Sequence, residues 1–292
     1  MTALRPWVQA ARPPTLWASA APVAVGAGLA WGDGVFRLDA FLVAMAAALL
    51  INIGANFAND ASDARRGADG PARVGPLRAV ASGLLGPRQV WTGVAVVFAL
   101  ASLGGIYLAV IAGWPVLAIG AASLAAALAY TGGPRPYGYL GLGEAAVFVF
   151  FGLAATVGSR FVHDATAPAA AWLLAVPMGF TVTAILVANN VRDVDTDREA
   201  GKRTLAVTLG REGGRLLYTA LMVGAFVALT IEAAVGAVPP LCLLGLLAAP
   251  AAVPVVAAVR RETEGPALVR ALRATARVHA LFGVLVAVGA AI

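Results

Sequence analysis

Long apolar runs, separated by short polar segments, make up most of the 292-residue chain. Each run is close to the ~20 residues that a helix needs to cross a bilayer. The pattern therefore predicts an all-α, polytopic membrane protein with about nine transmembrane helices. These spans are predicted at 15–32, 39–63, 88–110, 115–131, 142–160, 169–192, 214–236, 239–259 and 274–292.

The order of the runs predicts one transmembrane domain over residues 1–292. Its first eight helices form an internal repeat, with residues 15–131 matched to 142–259 and the ninth helix, 274–292, appended. In each half the second helix ends in a cluster of acids. The charged segment 262–276 is predicted to form a short surface helix before the last span.

Basic residues are distributed unevenly between the two sides of the predicted bundle. Of the 21 lysines and arginines, 19 fall in the N-terminal arm or in loops on the same side as it, and only Arg37 and Arg160 fall on the other side. Because cytoplasmic loops carry the excess of positive charge, we predict a cytoplasmic N-terminus and an external C-terminus. The same asymmetry explains the net charge of +6 without a nucleic-acid partner. The lipid bilayer is the predicted environment.

Two polar stripes stand at the cytoplasmic ends of the second and sixth spans. Asn56, Asp60 and Asp63 lie at i, i+4 and i+7, within an arc of about 60° on a helix. Each stripe is followed by a glycine and then by basic residues. The candidate bases in these loops are Arg73, Arg78, Lys202 and Arg203.

The second stripe consists of Asn189, Asp193 and Asp197 at i, i+4 and i+8, an arc of about 80° if the helix continues, whereas Asp195 points to another face. Carboxylates at a helix C-terminus meet the negative end of the dipole and repel one another. A divalent cation removes both penalties, and Mg²⁺ commonly joins a few carboxylates to substrate phosphates. Two facing stripes with basic loops therefore indicate a metal–phosphate site.

The two stripes together resemble the aspartate-rich motifs of the UbiA family of intramembrane prenyltransferases, and the resemblance covers nearly the whole chain. It implies a UbiA-type bundle, a cytoplasmic-side active site, Mg²⁺, a polyprenyl diphosphate donor and an aromatic acceptor. Segments 12–16, 59–78, 130–144 and 189–205 resemble the branch that prenylates 1,4-dihydroxy-2-naphthoate in menaquinone synthesis. A bacterial-type cell membrane is the location that this branch implies.

The resemblance also implies roles for individual residues. The expected catalytic residues are Asp60, Asp63, Asp193, Asp197 and Lys202. The expected metal ligands are Asp60, Asp63, Asp69, Asp193 and Asp197. The expected substrate-binding residues are Asn56, Asn189, Arg73, Arg78, Arg203, Tyr130, Tyr137, Tyr139 and Glu144.

Two other functions are compatible with the sequence. A related prenyltransferase would use the same metal site with another acceptor, such as 4-hydroxybenzoate. An ion-coupled transporter would also carry acids near membrane helices, although such acids usually lie near the bilayer midplane. Prenyl chain length and oligomeric state are not indicated by any sequence pattern.

Overall fold

The structure is a computed structural model that describes residues 4–67, 75 and 78–292. Within these residues the chain is helical, with no strand, and short 3₁₀ turns lie at Pro13–Thr15 and Tyr137–Tyr139. The helices are α1 (Arg5–Ala11), α2 (Trp17–Gly32), α3 (Leu38–Arg65), α4 (Pro87–Ala112), α5 (Pro115–Ala129), α6 (Gly143–Asp164), α7 (Ala169–Arg192), α8 (Val194–Glu199), α9 (Leu205–Ala234), α10 (Pro240–Arg261) and α11 (Gly265–Ala291).

The predicted apolar runs correspond to α2–α7 and α9–α11. Seven helices in the described part of the chain, α3, α4, α6, α7, α9, α10 and α11, are long and apolar enough to cross a membrane. Helix α2 has 16 residues and α5 has 15, so both are shorter than a full span. The count of nine crossings therefore stays a prediction.

The predicted surface helix at 262–276 is wrong as a separate element. Helix α11 begins at Gly265 and continues without a break into the last apolar run. Pro266 occupies the first turn, where the missing N–H costs nothing, and alanine-rich sequence carries the helix onward.

Helices α2, α7 and α11 pack together in the centre of the bundle. Ala21, Met178 and Phe282 are fully buried in this cluster. A Cβ at Gly283 would lie 2.7 Å from the Cβ of Ala21, so the glycine lets α11 and α2 approach closely. Close packing through small residues is the usual way in which helices associate within a bilayer. This central packing fixes the position of α7, which carries the second stripe.

Helix α6 contains a π-helical segment, Phe148–Ala154, where it faces α7. A Cβ on Gly152 would lie 2.5 Å from the Cα of Gly179, so the two backbones touch at this point. Phe150 and Phe151 of the same segment face a cavity in the bundle. Because π segments occur frequently at functional sites, the irregularity marks this wall of the cavity.

The second stripe lies across a helix break and not on one straight helix. Helix α7 ends at Arg192, and Asp193 has φ −96° and ψ 9° before α8 begins. The amide of Asp193 still donates to the carbonyl of Asn189, and that of Asp197 donates to the carbonyl of Asp193. These two bonds preserve the helical spacing, so the three side chains stay on one side.

Candidate active site

A cavity of about 350 Å³ lies among α2, α3, α5, α6 and α7. Its polar end is formed by the ends of α3 and α7, where Asp63 and Asp193 both face the cavity. The walls then become apolar and reach Ala44 in the first turns of α3. Nineteen residues of helix separate Ala44 from Asp63, which corresponds to roughly 28 Å along the axis. One end of a long apolar cavity thus carries nearly all of its charge.

Only two of the three predicted residues of the first stripe face the cavity. Asn56 and Asp63 line it, as expected, and so does Asn59. Asp60 does not line it. Its two carboxylate oxygens accept hydrogen bonds from the backbone N–H groups of Ala79 and Val80, at 2.8 and 2.9 Å. Asp60 therefore faces the turn at Ala79 and Val80, and its expected role as a metal ligand stays a prediction.

Asp63 is the acceptor at the centre of the polar end. It is buried, and it receives hydrogen bonds from the Tyr139 hydroxyl at 3.0 Å and from Lys202 Nζ at 3.3 Å. Arg78 Nη2 also lies 3.3 Å from its Oδ2. Three elements far apart in sequence therefore meet on one carboxylate.

The second stripe is placed as its spacing predicts. Asn189, Asp193 and Asp197 all line the cavity, and Lys202 Nζ lies 3.8 Å from Asp197 Oδ1. Asp195 points to solvent, where it pairs with Arg211. Lys202 thus stands between a carboxylate of each half of the chain.

Arg192 is a buried cation beside the second stripe, and the sequence pattern predicts no role for it in the site. Its Nε donates to Asp193 Oδ1 at 2.7 Å, and its Nη2 donates to Asn189 Oδ1 at 2.9 Å. The side chain is 1% exposed and lies behind the cavity wall. It therefore holds two members of the stripe in place. A basic residue directly before an aspartate of the stripe is the signal that could have identified it.

The three tyrosines of segment 130–139 line the cavity together. The Tyr139 ring lies 4.9 Å from Lys202 Nζ, and Tyr130 and Tyr137 pack edge to face at 5.4 Å. Burial raises the pKa of Tyr137 to about 12 and raises the pKa values of Tyr130 and Tyr139 further. All three phenols are therefore neutral hydrogen-bond donors around neutral pH.

The remaining candidates lie in different places. Arg78 lines the cavity, whereas Arg203 has an exposed side chain and meets the site only through its backbone N–H, which donates to the Tyr139 carbonyl. Glu144 is buried behind the wall and does not line the cavity. Asp69 and Arg73 lie outside the described residues.

Arg12 also lines the cavity, although it is not among the site residues predicted from the sequence. Its backbone is left-handed, with φ 54°, directly before Pro13. This conformation is unfavourable for a residue with a side chain. The Arg-Pro-Pro sequence is the feature from which a special role of Arg12 could have been predicted.

The donor atoms at the polar end fit a magnesium ion that shares its ligands with a substrate. Carboxylates of Asp63, Asp193 and Asp197 and amides of Asn59 and Asn189 all face the cavity, and all of them offer oxygen. Among the described residues no group of three or more His, Cys, Asp or Glu side chains could hold a metal by itself. Mg²⁺ typically takes one or two protein carboxylates and completes its shell with water and phosphate oxygens.

Comparison with known proteins identifies the family of this chain. Residues 19–289 match the model of the UbiA prenyltransferase family. A 1,4-dihydroxy-2-naphthoate octaprenyltransferase of Mycobacterium tuberculosis is 42% identical over 94% of this chain and 93% of that protein. The protein of the same name from Escherichia coli is 38% identical over 77% of this chain and 75% of that protein.

Solved structures share the fold at low sequence identity. A UbiA homologue from Archaeoglobus fulgidus bound to GPP and Mg²⁺ superposes with a TM-score of 0.66, at 15% identity, over 96% of this chain and 99% of that chain. An apo UbiA homologue from Aeropyrum pernix gives 0.68 at 18% identity, over 93% and 96% of the two chains. With its apolar helices and its family match over nearly the whole length, this chain is a multi-pass membrane protein that belongs to the UbiA prenyltransferase family.

Proposed function

We propose that this protein transfers a polyprenyl group from its diphosphate to 1,4-dihydroxy-2-naphthoate, with loss of CO₂, to give a demethylmenaquinol, the reduced form of a demethylmenaquinone. One observation carries the proposal: the carboxylates of both halves of the chain converge, with Lys202 between Asp63 and Asp197, at the mouth of a long apolar cavity. A lipid with an anionic head group fits such a cavity, because the head group binds at the polar end and the apolar tail lies along the apolar walls.

The diphosphate lies at the polar end. Lys202, Arg78 and Arg12 supply positive charge there, and charge-assisted hydrogen bonds to phosphate oxygens are the strong ones. Diphosphate leaves only when its developing negative charge is neutralised. Mg²⁺, held by Asp63, Asp193 and Asp197 with Asn59 and Asn189 nearby, supplies part of that neutralisation when it is bound.

The isoprenoid tail occupies the apolar length of the cavity. Ala47, Gly105 and Gly120 line it with small side chains, and Phe150 and Phe151 add aromatic surface. A cavity that extends along most of α3 accommodates several isoprene units. The allylic carbon then lies where the apolar wall meets the charged end, beside Tyr130 and Tyr139.

The identity of the aromatic acceptor is proposed from the names of the related proteins. Proteins that are 42% and 38% identical to this chain are named for 1,4-dihydroxy-2-naphthoate. In the reaction the bond between the allylic carbon and the diphosphate oxygen breaks, and the ring carbon that bears the carboxyl group forms the new carbon–carbon bond. Loss of the carboxylate as CO₂ then restores the aromatic ring. The neutral hydroxyl of Tyr130 donates a hydrogen bond to the acceptor, because the hydroxyls of Tyr139 and Tyr137 already donate to Asp63 and to the Ala126 carbonyl.

The test is an acceptor panel with purified protein, Mg²⁺ and a polyprenyl diphosphate. Prenylated, decarboxylated product from the naphthoate supports the proposal. Turnover of 4-hydroxybenzoate alone, with its carboxylate retained, would contradict the acceptor and leave the family assignment in place.

A further inference from the structure

Behind the cavity wall, a buried carboxylate is bonded to a buried amide. Asn190 Nδ2 donates to Glu144 Oε1 at 2.9 Å, and the two residues are 4% and 5% exposed. Glu144 stands in the first turn of α6 and Asn190 in the last turn of α7. Neither residue belongs to the carboxylate stripes.

The bond fixes which way the amide of Asn190 points. The NH₂ group of Asn190 faces Glu144, because it donates this hydrogen bond and Oε1 accepts it. The carbonyl oxygen, Oδ1, is then directed elsewhere, and Asn190 lines the cavity. Oδ1 has no hydrogen-bond partner in the described part of the chain, and it is not among the fully buried polar atoms that lack a partner. It is therefore an acceptor that is accessible from the cavity.

This corner of the cavity also contains Tyr130. A Cβ on Gly143, the residue before Glu144, would lie 3.5 Å from the Tyr130 hydroxyl and 3.4 Å from Leu186. Burial, and next the charge of Glu144, raise the pKa of Tyr130. The corner thus offers a fixed carbonyl acceptor beside a neutral phenol donor, against an apolar wall.

We propose that Asn190 Oδ1 accepts a hydrogen bond from a ring hydroxyl of the aromatic acceptor, and that Glu144 is a positioning residue that locks the amide in this orientation. The proposal rests on the proposed function, whose acceptor carries two hydroxyl groups. It changes the expected role of Glu144 from direct contact with the substrate to action through Asn190. A carbonyl acceptor selects a ring with a free O–H and disfavours the matching ether, which has no proton to donate.

Equilibrium binding tests this without relying on turnover. Wild-type protein, Glu144→Gln and Asn190→Leu are titrated, under anaerobic conditions, with 1,4-dihydroxy-2-naphthoate and with its 1,4-dimethoxy analogue. We expect the wild type to prefer the dihydroxy compound by about tenfold, the value of one hydrogen bond. We expect both variants to lose most of that preference. A glutamine at 144 both donates and accepts, so it no longer dictates the direction of the amide.

Glu232→Gln is the matched control, because Glu232 is also a buried carboxyl, in α9, and does not line the cavity. It should keep the wild-type preference. Glu144→Gln changes one heavy atom, so it remains informative if Asn190→Leu folds poorly. A preference unchanged in Glu144→Gln, or absent in the wild type, would overturn the inference. Selective binding without prenyl transfer would instead contradict the proposed function.

Discussion

Lys202 Nζ lies 3.3 Å from Asp63 Oδ2, although 139 residues separate the two in the chain. The same nitrogen lies 3.8 Å from Asp197 Oδ1. The lysine is mostly buried and also faces the ring of Tyr139. One cation therefore joins the carboxylates of both halves, in the position where a diphosphate and its metal are proposed to bind.

Replacement of Lys202 by glutamine should lower kcat/KM for the prenyl diphosphate by about 10²–10³-fold, the usual effect of one lost charge-stabilising donor. The assay is steady-state prenyl transfer with the donor varied. Arg203→Gln serves as the neighbouring control, because the Arg203 side chain is exposed and does not line the cavity. An equal loss in both variants would contradict the assigned position of Lys202.

Asp197 and Asp195 form a matched pair on α8. Asp197→Asn should remove most activity, because its carboxylate faces the cavity. Asp195→Asn should reduce activity by no more than a few-fold, because Asp195 forms only exposed pairs with Arg198 and Arg211, and such pairs contribute little. Activity of both variants at saturating Mg²⁺ is the measurement. Comparable losses of activity in the two variants would show that Asp197 does not lie on the face of α8 that meets the cavity.

Asp60 is predicted to act on stability. Asp60→Asn removes a charge that accepts from the amides of Ala79 and Val80, and hydrogen bonds to charged groups contribute about 1.5–3 kcal/mol each. Thermal unfolding of the purified protein should show a lower midpoint for Asp60→Asn than for the wild type. Asp63→Asn should lose activity and remain folded. If Asp60→Asn kept its full thermal stability and lost only Mg²⁺ dependence, the capping role would be wrong.

Tyr137 gives a prediction for alkaline pH. Its hydroxyl donates to the Ala126 carbonyl, and burial raises its pKa to about 12. A raised pKa in the folded state means that the neutral phenol stabilises the fold below its ordinary pKa of about 10, and that this contribution is lost as the pH rises toward 12. Unfolding midpoints between pH 9 and 12 should therefore fall more steeply for the wild type than for Tyr137→Phe. Parallel curves would contradict this assignment.

The distribution of basic residues predicts the orientation. A reporter fused after Ile292 should lie outside the cytoplasm, and one inserted at Gly67 should lie inside. Accessibility of single reporters to an impermeant reagent is the measurement. Both reporters on one side would contradict the odd number of crossings.

Periodicity was sufficient for the helices and for the second stripe, because a helix places residues four apart on one face whatever surrounds it. In the structure Asn189, Asp193 and Asp197 line one cavity, and Asp195 does not. The same spacing places Asp60 on the face of Asp63, whereas in the structure Asp60 faces the backbone of Ala79 and Val80. Whether a carboxylate faces a cavity or caps a distant turn depends on where the following loop returns, and local spacing carries no information about that.

Asn190 and Arg192 show the same limit from the other direction. Both stand beside members of the stripe. Asn190 acquires its orientation from Glu144 on another helix, whereas the partners of Arg192 are its sequence neighbours Asp193 and Asn189, and only its burial is absent from the local pattern. A single sequence gives residue types and spacing along a helix. It does not give the pairing between helices that fixes the direction of an amide such as that of Asn190.

The most direct test of the proposed function uses 1,4-dihydroxy-2-naphthoate labelled with ¹³C in its carboxyl group. Purified protein, Mg²⁺ and polyprenyl diphosphate are added, and labelled CO₂, diphosphate and prenylated product are quantified together. We predict one CO₂ and one diphosphate for each prenylated ring in the wild type, and none of the three above background in Asp197→Asn. Diphosphate release without labelled CO₂, or a product that retains the label, would contradict the assignment.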